Sequence, residues 1–215
     1  MTSQIPLTGA QERRDRNRAD AQRTILDAAQ ELLAEGGLDA LSMRRLADRC
    51  GFTAPTLYHY FPDKPGLMQA LIEEWLATLV LELRAIAPSP DPIETIRALG
   101  SAFANLGIRN PSHYQLLVSR PEEMPDPPAL EEAQAIFGEP LDRLVASGRI
   151  EEDRTERLRQ GLWCLLHGFI LLQTTRPAED WVPQLLDHAL EAMLRGSLRS
   201  PDENDIPTRP TGDAR

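Results

Sequence analysis

The sequence predicts an all-α protein of about nine helices, and three observations predict it. Apolar residues recur at three- and four-residue spacing nearly throughout the 215 residues. No segment alternates apolar and polar residues over the length of a strand. Helix-breaking residues stand where each periodic run stops: Gly36-Gly37, Gly51, Pro62, Pro88-Ser89-Pro90, Asn110-Pro111, Pro121 to Pro128, Ser147-Gly148 and Arg176-Pro177.

The first helix is expected from about Arg16 to Glu35, with Ile25, Ala29, Leu32 and Leu33 on one face and the glycine pair ending it. Ser42 is a good N-cap for a second helix whose inner face carries Met43, Leu46, Ala47 and Cys50. Gly51 supplies the left-handed residue that a sharp turn requires. Thr53 then caps a short third helix, with Pro55 tolerated in its first turn because that N–H has no intrahelical partner. Asp63 caps a long helix from about Lys64 to Ile86. Five more helices follow at about 92–108, 111–119, 128–147, 153–175 and 180–197. Residues 1 to about 12 and about 199–215 are polar, unable to bury surface, and read as disordered tails. The domain division is therefore 1–15 as a disordered basic arm, 16–64 as a three-helix unit, 65–198 as a helical domain and 199–215 as a tail.

A core from a chain this long needs no disulfide or metal staple. Cys50 and Cys164 each lie in an apolar periodic segment, which suits reduced, buried thiols in a reducing compartment. No apolar run of about 18 residues and no signal-peptide pattern appears, so a soluble cytoplasmic protein with no membrane partner is expected. The net charge of −10 is unevenly spread. Nine basic and nine acidic groups balance within residues 1–66, and the remainder carries the whole deficit. Only the N-terminal part has a charge compatible with approach to phosphate.

Ser42 to Phe61 reads SMRRLADRCGFTAPTLYHYF: a helix of eight residues or so, a glycine turn and a second short helix. This is helix-turn-helix spacing, in which the second helix enters a major groove. A bland αα-hairpin has the same outline, but the outer face of its short helix has no reason to display Thr53, Thr56, Tyr58, His59 and Tyr60 together while Leu57 and Phe61 turn inward. Such short donors suit phosphate oxygens and base edges.

The stretch from Arg23 to Leu67, RTILDAAQELLAEGGLDALSMRRLADRCGFTAPTLYHYFPDKPGL, resembles the DNA-binding domain of the TetR family of bacterial transcriptional regulators. Cys50 stands where the family commonly has alanine, and Pro65-Gly66 where an acidic residue is commoner; neither disturbs the pattern. The resemblance implies a repressor that binds double-stranded operator DNA as a homodimer. It implies that Thr53, Ala54, Pro55 and Thr56 open the recognition helix, that Tyr58 and His59 touch backbone or base edges, that Tyr60 braces the helix, and that Lys64 clamps a phosphate. Ser42, Arg44 and Arg45 on the bracing helix complete the expected contact set. Arg13, Arg14, Arg16 and Arg18 form a basic arm for which minor-groove contact and a plain tail are equal readings.

In the C-terminal part, GLWCLLHGFILLQ is apolar almost all round and must be buried on several sides. Gly161, Leu165, Gly168 and Leu172, with Leu185, Ala189 and Met193 from the last helix, offer small-residue faces suited to a two-fold contact. In the TetR family the last two helices form such an interface. Trp163 and His167 share another face and, with Phe103, Leu106, Tyr114 and Leu117, are expected to line a pocket for a small, largely apolar effector; a core histidine beside a structural tryptophan is the competing reading. Cys164 and His167 are too few to make a metal site, and no catalytic, metal-ligand or cofactor motif rises above background, so no metal, cofactor or enzymatic activity is expected.

Overall fold

A computed structural model describes residues 9–199. Among these, nine helices and no strands are present: α1 (Gly9–Ala40), α2 (Met43–Cys50), α3 (Ala54–Tyr60), α4 (Lys64–Arg84), α5 (Pro92–Arg109), α6 (Pro111–Val118), α7 (Pro128–Ala146), α8 (Glu152–Thr175) and α9 (Leu185–Ser197). The chain forms two compact units. Among the described residues, one holds those up to Leu81 together with Gly107–Ala133, and the other holds Glu82–Leu106 and those from Gln134 onward.

In the first unit, Ile25, Ala29 and Leu33 of α1, Leu46 of α2, Leu57 of α3 and Leu67 and Leu71 of α4 are sealed from solvent. Each such leucine or isoleucine contributes about 1.5–3 kcal/mol of apolar burial. Helix α6 packs on α1, and the Ser112 hydroxyl donates to the Leu33 carbonyl at 3.0 Å. That carbonyl lies in the last turn before the glycine break, where the helix runs out of N–H donors of its own. Glu74 of α4 takes hydrogen bonds from Arg23 and from Gln30 of α1.

In the second unit, α8 packs along α9. A methyl group on Gly100 of α5 would stand 3.2 Å from a Leu190 methyl and 3.3 Å from one of Leu166, so glycine is what lets α5 approach these two helices. Arg143 donates to the carbonyls of Ser89 and Pro90, and Arg149 pairs with Asp91 at 2.7 Å, fixing the linker after α4 within this unit.

Three expectations are corrected. Helix α1 begins by Gly9, so residues 9–12 are helical and not part of a tail; residues rich in Ala, Gln, Glu and Arg extend an already nucleated helix at little cost. Residues 1–8 and 200–215 lie outside the described range. Helix α9 starts at Leu185 and not near 180, because Pro183 drives its predecessor out of the α region and Gln184 adopts φ 59°. Cys164 is exposed and Cys50 only half-buried, so neither is the fully buried thiol expected; an all-round apolar helix has more apolar face than one chain covers. The Gly36-Gly37 break, by contrast, stands where expected, with non-helical backbone at both residues.

Candidate nucleic-acid interface

Two N-caps and one left-handed glycine set the geometry of α2 and α3. The Ser42 hydroxyl accepts from the Arg45 N–H at 3.3 Å. Gly51 closes α2 at φ 70°, and the N–H groups of Gly51 and Phe52 both return to the Ala47 carbonyl. The Thr53 hydroxyl accepts from the Thr56 N–H and lies 2.8 Å from the Thr56 hydroxyl. Asp63 then caps α4 through the Gly66 N–H at 2.8 Å.

With Leu57 and Phe61 anchored in the core, the rest of α3 faces outward. Thr53, Ala54, Pro55, Thr56, Tyr58 and His59 are exposed, Tyr58 by 47%, and Tyr60 is half-buried. Tyr60 stacks on Phe52 with ring centroids 6.4 Å apart, meets His59 edge-on at 5.2 Å, and carries the Arg18 guanidinium 6.0 Å above its ring. Ser42 is half-buried, while Arg44, Arg45 and Lys64 are exposed on the flanking elements.

The basic residues of this unit divide by role. Arg49 is held by Glu35 at 2.7 Å and Glu31 at 3.1 Å; these hydrogen bonds raise its pKa and lower that of Glu35. Arg23 is likewise held by Asp27 and Glu74. Both tie helices together. Arg44, Arg45 and Lys64 make no salt bridge at contact distance with a described residue, although the charge of Arg45 helps lower the pKa of the Glu35 carboxyl, so their donors are open to an external anion.

The expected pocket residues do not all fall in one unit. Tyr114 and Leu117 are buried on α6 in the first unit, where burial pushes the Tyr114 phenol up to about 12. Phe103, Leu106, Trp163 and His167 belong to the second. There His167 lies against Trp163 with the two rings tilted by 39° and their centroids 4.0 Å apart, and it lies 5.2 Å from Phe103, which meets Phe137 edge-on at 6.2 Å. Phe137 escaped the sequence reading because nothing in its local pattern ties α7 to α5. Burial pushes the His167 imidazole down to about 4, so it is neutral near pH 7. Trp163 is 50% exposed.

Of the expected interface residues, Gly161 makes room for Met193 of the same chain, whose sulfur would stand 3.2 Å from a methyl there. Gly168 faces open space. Leu165, Leu185 and Ala189 are half-buried and Leu172 is 42% exposed. Among the described residues no helix is long and apolar enough to cross a membrane, and no group of three or more His, Cys, Asp or Glu side chains could hold a metal ion.

A braced helix-turn-helix with a polar, outward recognition helix, joined to a second helical unit, defines a DNA-binding regulator of transcription. Residues 25–71 match the family model for bacterial regulatory proteins of the tetR family, and residues 96–196 match the tetracyclin repressor-like C-terminal domain. The chain belongs to the TetR family. It is 26% identical to the HTH-type transcriptional repressor KstR of Rhodococcus jostii (strain RHA1), over 85% of this chain and 87% of that protein. Its fold is similar to that of the TetR-family regulator PfmR from Thermus thermophilus, with a TM-score of 0.62 and 22% identity over 81% of this chain and 99% of that one. It is also similar to a TetR variant from Acinetobacter baumannii AYE in complex with minocycline, with a TM-score of 0.60 and 21% identity over 80% and 93% of the two chains.

Proposed function

We propose that the chain is a ligand-responsive repressor that binds a palindromic operator as a homodimer. The observation that carries this reading is the outer edge of α3, where Thr53, Thr56, Tyr58 and His59 are exposed together while Leu57 and Phe61 anchor the helix from below. One such helix covers only a few base pairs. Two, held about 34–36 Å apart, read one face of a palindrome.

The α8–α9 face supports the dimer. Leu171 and Leu172 are large apolar side chains exposed on α8, and a lone subunit has reason to cover them. Gly161, Leu165, Gly168 and Leu172 follow one stripe of α8, and Leu185, Ala189 and Met193 lie on α9. The aromatic cluster of Phe103, Trp163 and His167, beside Leu106 in the same unit, supports an effector that is mainly apolar, with the imidazole as a polar handle. Occupancy shifts operator affinity through α4, with a coupling of about 1–3 kcal/mol. The cytoplasm is the compartment this role requires.

Operator selection from random duplexes tests the reading. A palindrome with half-sites one helical turn apart is expected, and Thr56→Ala with Tyr58→Ala abolishes its gel shift while leaving the dimer intact. Failure to enrich any duplex overturns the assignment.

A further inference from the structure

Helix α1 begins more than four turns before its first buried residue, Ile25, and this projecting part carries Arg13, Arg14, Arg16 and Arg18, all exposed. Since α1 is continuous to the glycine break, the direction of each side chain follows from about 100° of rotation per residue. Arg14 and Arg18 fall within roughly 40° of the stripe formed by Ile25, Ala29 and Leu32, the buried face of the same helix. Arg13 and Arg16 fall roughly 140–160° away from Arg18, on the opposite side with Asp20, Arg23 and Asp27.

The stripe that packs into the helix-turn-helix core therefore runs on past the end of that core. Beyond the half-buried Ala21 and Gln22, its next side chain is Arg18, whose guanidinium lies over the ring of Tyr60 on the recognition helix. Stacking uses the flat face of a guanidinium and leaves its N–H edges free to donate. One turn further out Arg14 projects from the same side, displaced about 6 Å along the axis. Neither arginine has a carboxylate partner among the described residues, and the nearest acidic residue to them around α1, Asp15, is turned roughly 60° from Arg18 and roughly 100° from Arg14.

We propose that Arg14 and Arg18 are a second, preformed contact to the DNA backbone, in which the projecting turns of α1 lay two guanidiniums on phosphates flanking those met by α3, whereas Arg13 and Arg16 stay in solvent. The inference rests on the operator reading above. It assigns these residues affinity and salt dependence, not base choice, because phosphate contacts position a protein without reading sequence.

The test uses the full-length chain and the duplex that the wild type selects from random sequence, with affinity measured by fluorescence anisotropy between low and high salt. Removing one phosphate-bound guanidinium flattens the plot of log affinity against log salt by about 0.9. Arg14→Ala with Arg18→Ala, present in both subunits of a bound pair, is expected to flatten it by about 3–4, with helix content unchanged by circular dichroism. Arg14→Lys with Arg18→Lys restores most of the slope, and Arg13→Ala with Arg16→Ala leaves it unaltered. An unchanged slope in the Arg14/Arg18 variant overturns the inference, as does equal flattening by the Arg13/Arg16 pair. A change in the selected sequence at flanking A·T positions overturns it too, in favour of minor-groove reading. If the wild type selects no duplex, the operator reading itself fails first.

Discussion

Gly51 fixes the turn on which the proposed DNA-reading surface depends. Its φ of 70° is the left-handed conformation, and a methyl group there would meet nothing within 4 Å, so substitution is penalised by backbone conformation alone. Gly51→Ala is expected to lower stability by about 1–2 kcal/mol, read from the urea midpoint. Thr53 has an observed and a proposed role on one side chain: it caps α3 through the Thr56 N–H, and in the proposed operator contact its exposed position opens the recognition helix. Thr53→Ala should cost about 1 kcal/mol of stability and weaken DNA binding further, whereas Thr53→Ser keeps the cap and most of the affinity. Comparing the two variants by denaturation and by gel shift separates the roles. These positions were legible in the sequence because a cap or a left-handed glycine is a local requirement. The stacking of Phe52, Tyr60 and Arg18 was not, since it joins residues brought together only by folding.

At the scale of elements, helix type and order were legible throughout, and the errors fell at ends. Helix α1 starts earlier than its apolar stripe, because helical propagation continues through good helix formers that bury nothing. Helix α9 starts later, because Pro183 and Gln184 interrupt a segment whose composition alone looked helical. The placement of α6 on α1 had no sequence signal at all. It rests on Ser112 reaching the Leu33 carbonyl and on the burial of Tyr114, Leu116 and Leu117. Ser112→Ala is expected to cost about 1 kcal/mol, and native-state hydrogen exchange should show the weakening concentrated in the last turn of α1 and in α6.

For the whole molecule, half-buried histidines set a pH dependence. His167 is depressed to about 4 and His113 is lowered too, both by burial. Each binds protons more readily in the unfolded chain, so stability is complete above about 6.5 and drains as the pH falls toward 4. The urea midpoint should therefore drop between pH 7 and pH 5, and His167→Gln should shrink that drop. The exposed apolar side chains of α8 carry a second expectation from the proposed homodimer: Leu172→Glu should sediment as a folded monomer where the wild type sediments as a dimer, and should lose operator binding with it.

The sequence by itself determined the helical class, the break points and the outward set on α3, since all of these follow from periodicity, caps and turn residues within a few positions of one another. Only the tertiary structure decided which arginines are consumed as ties, as Arg23 and Arg49 are, and which remain available, as Arg44, Arg45 and Lys64 do. It alone placed α6 with the first three helices and Phe137 against Phe103. The physical reason is that an ion pair or a packed ring depends on distances across the fold, which one-dimensional spacing does not contain.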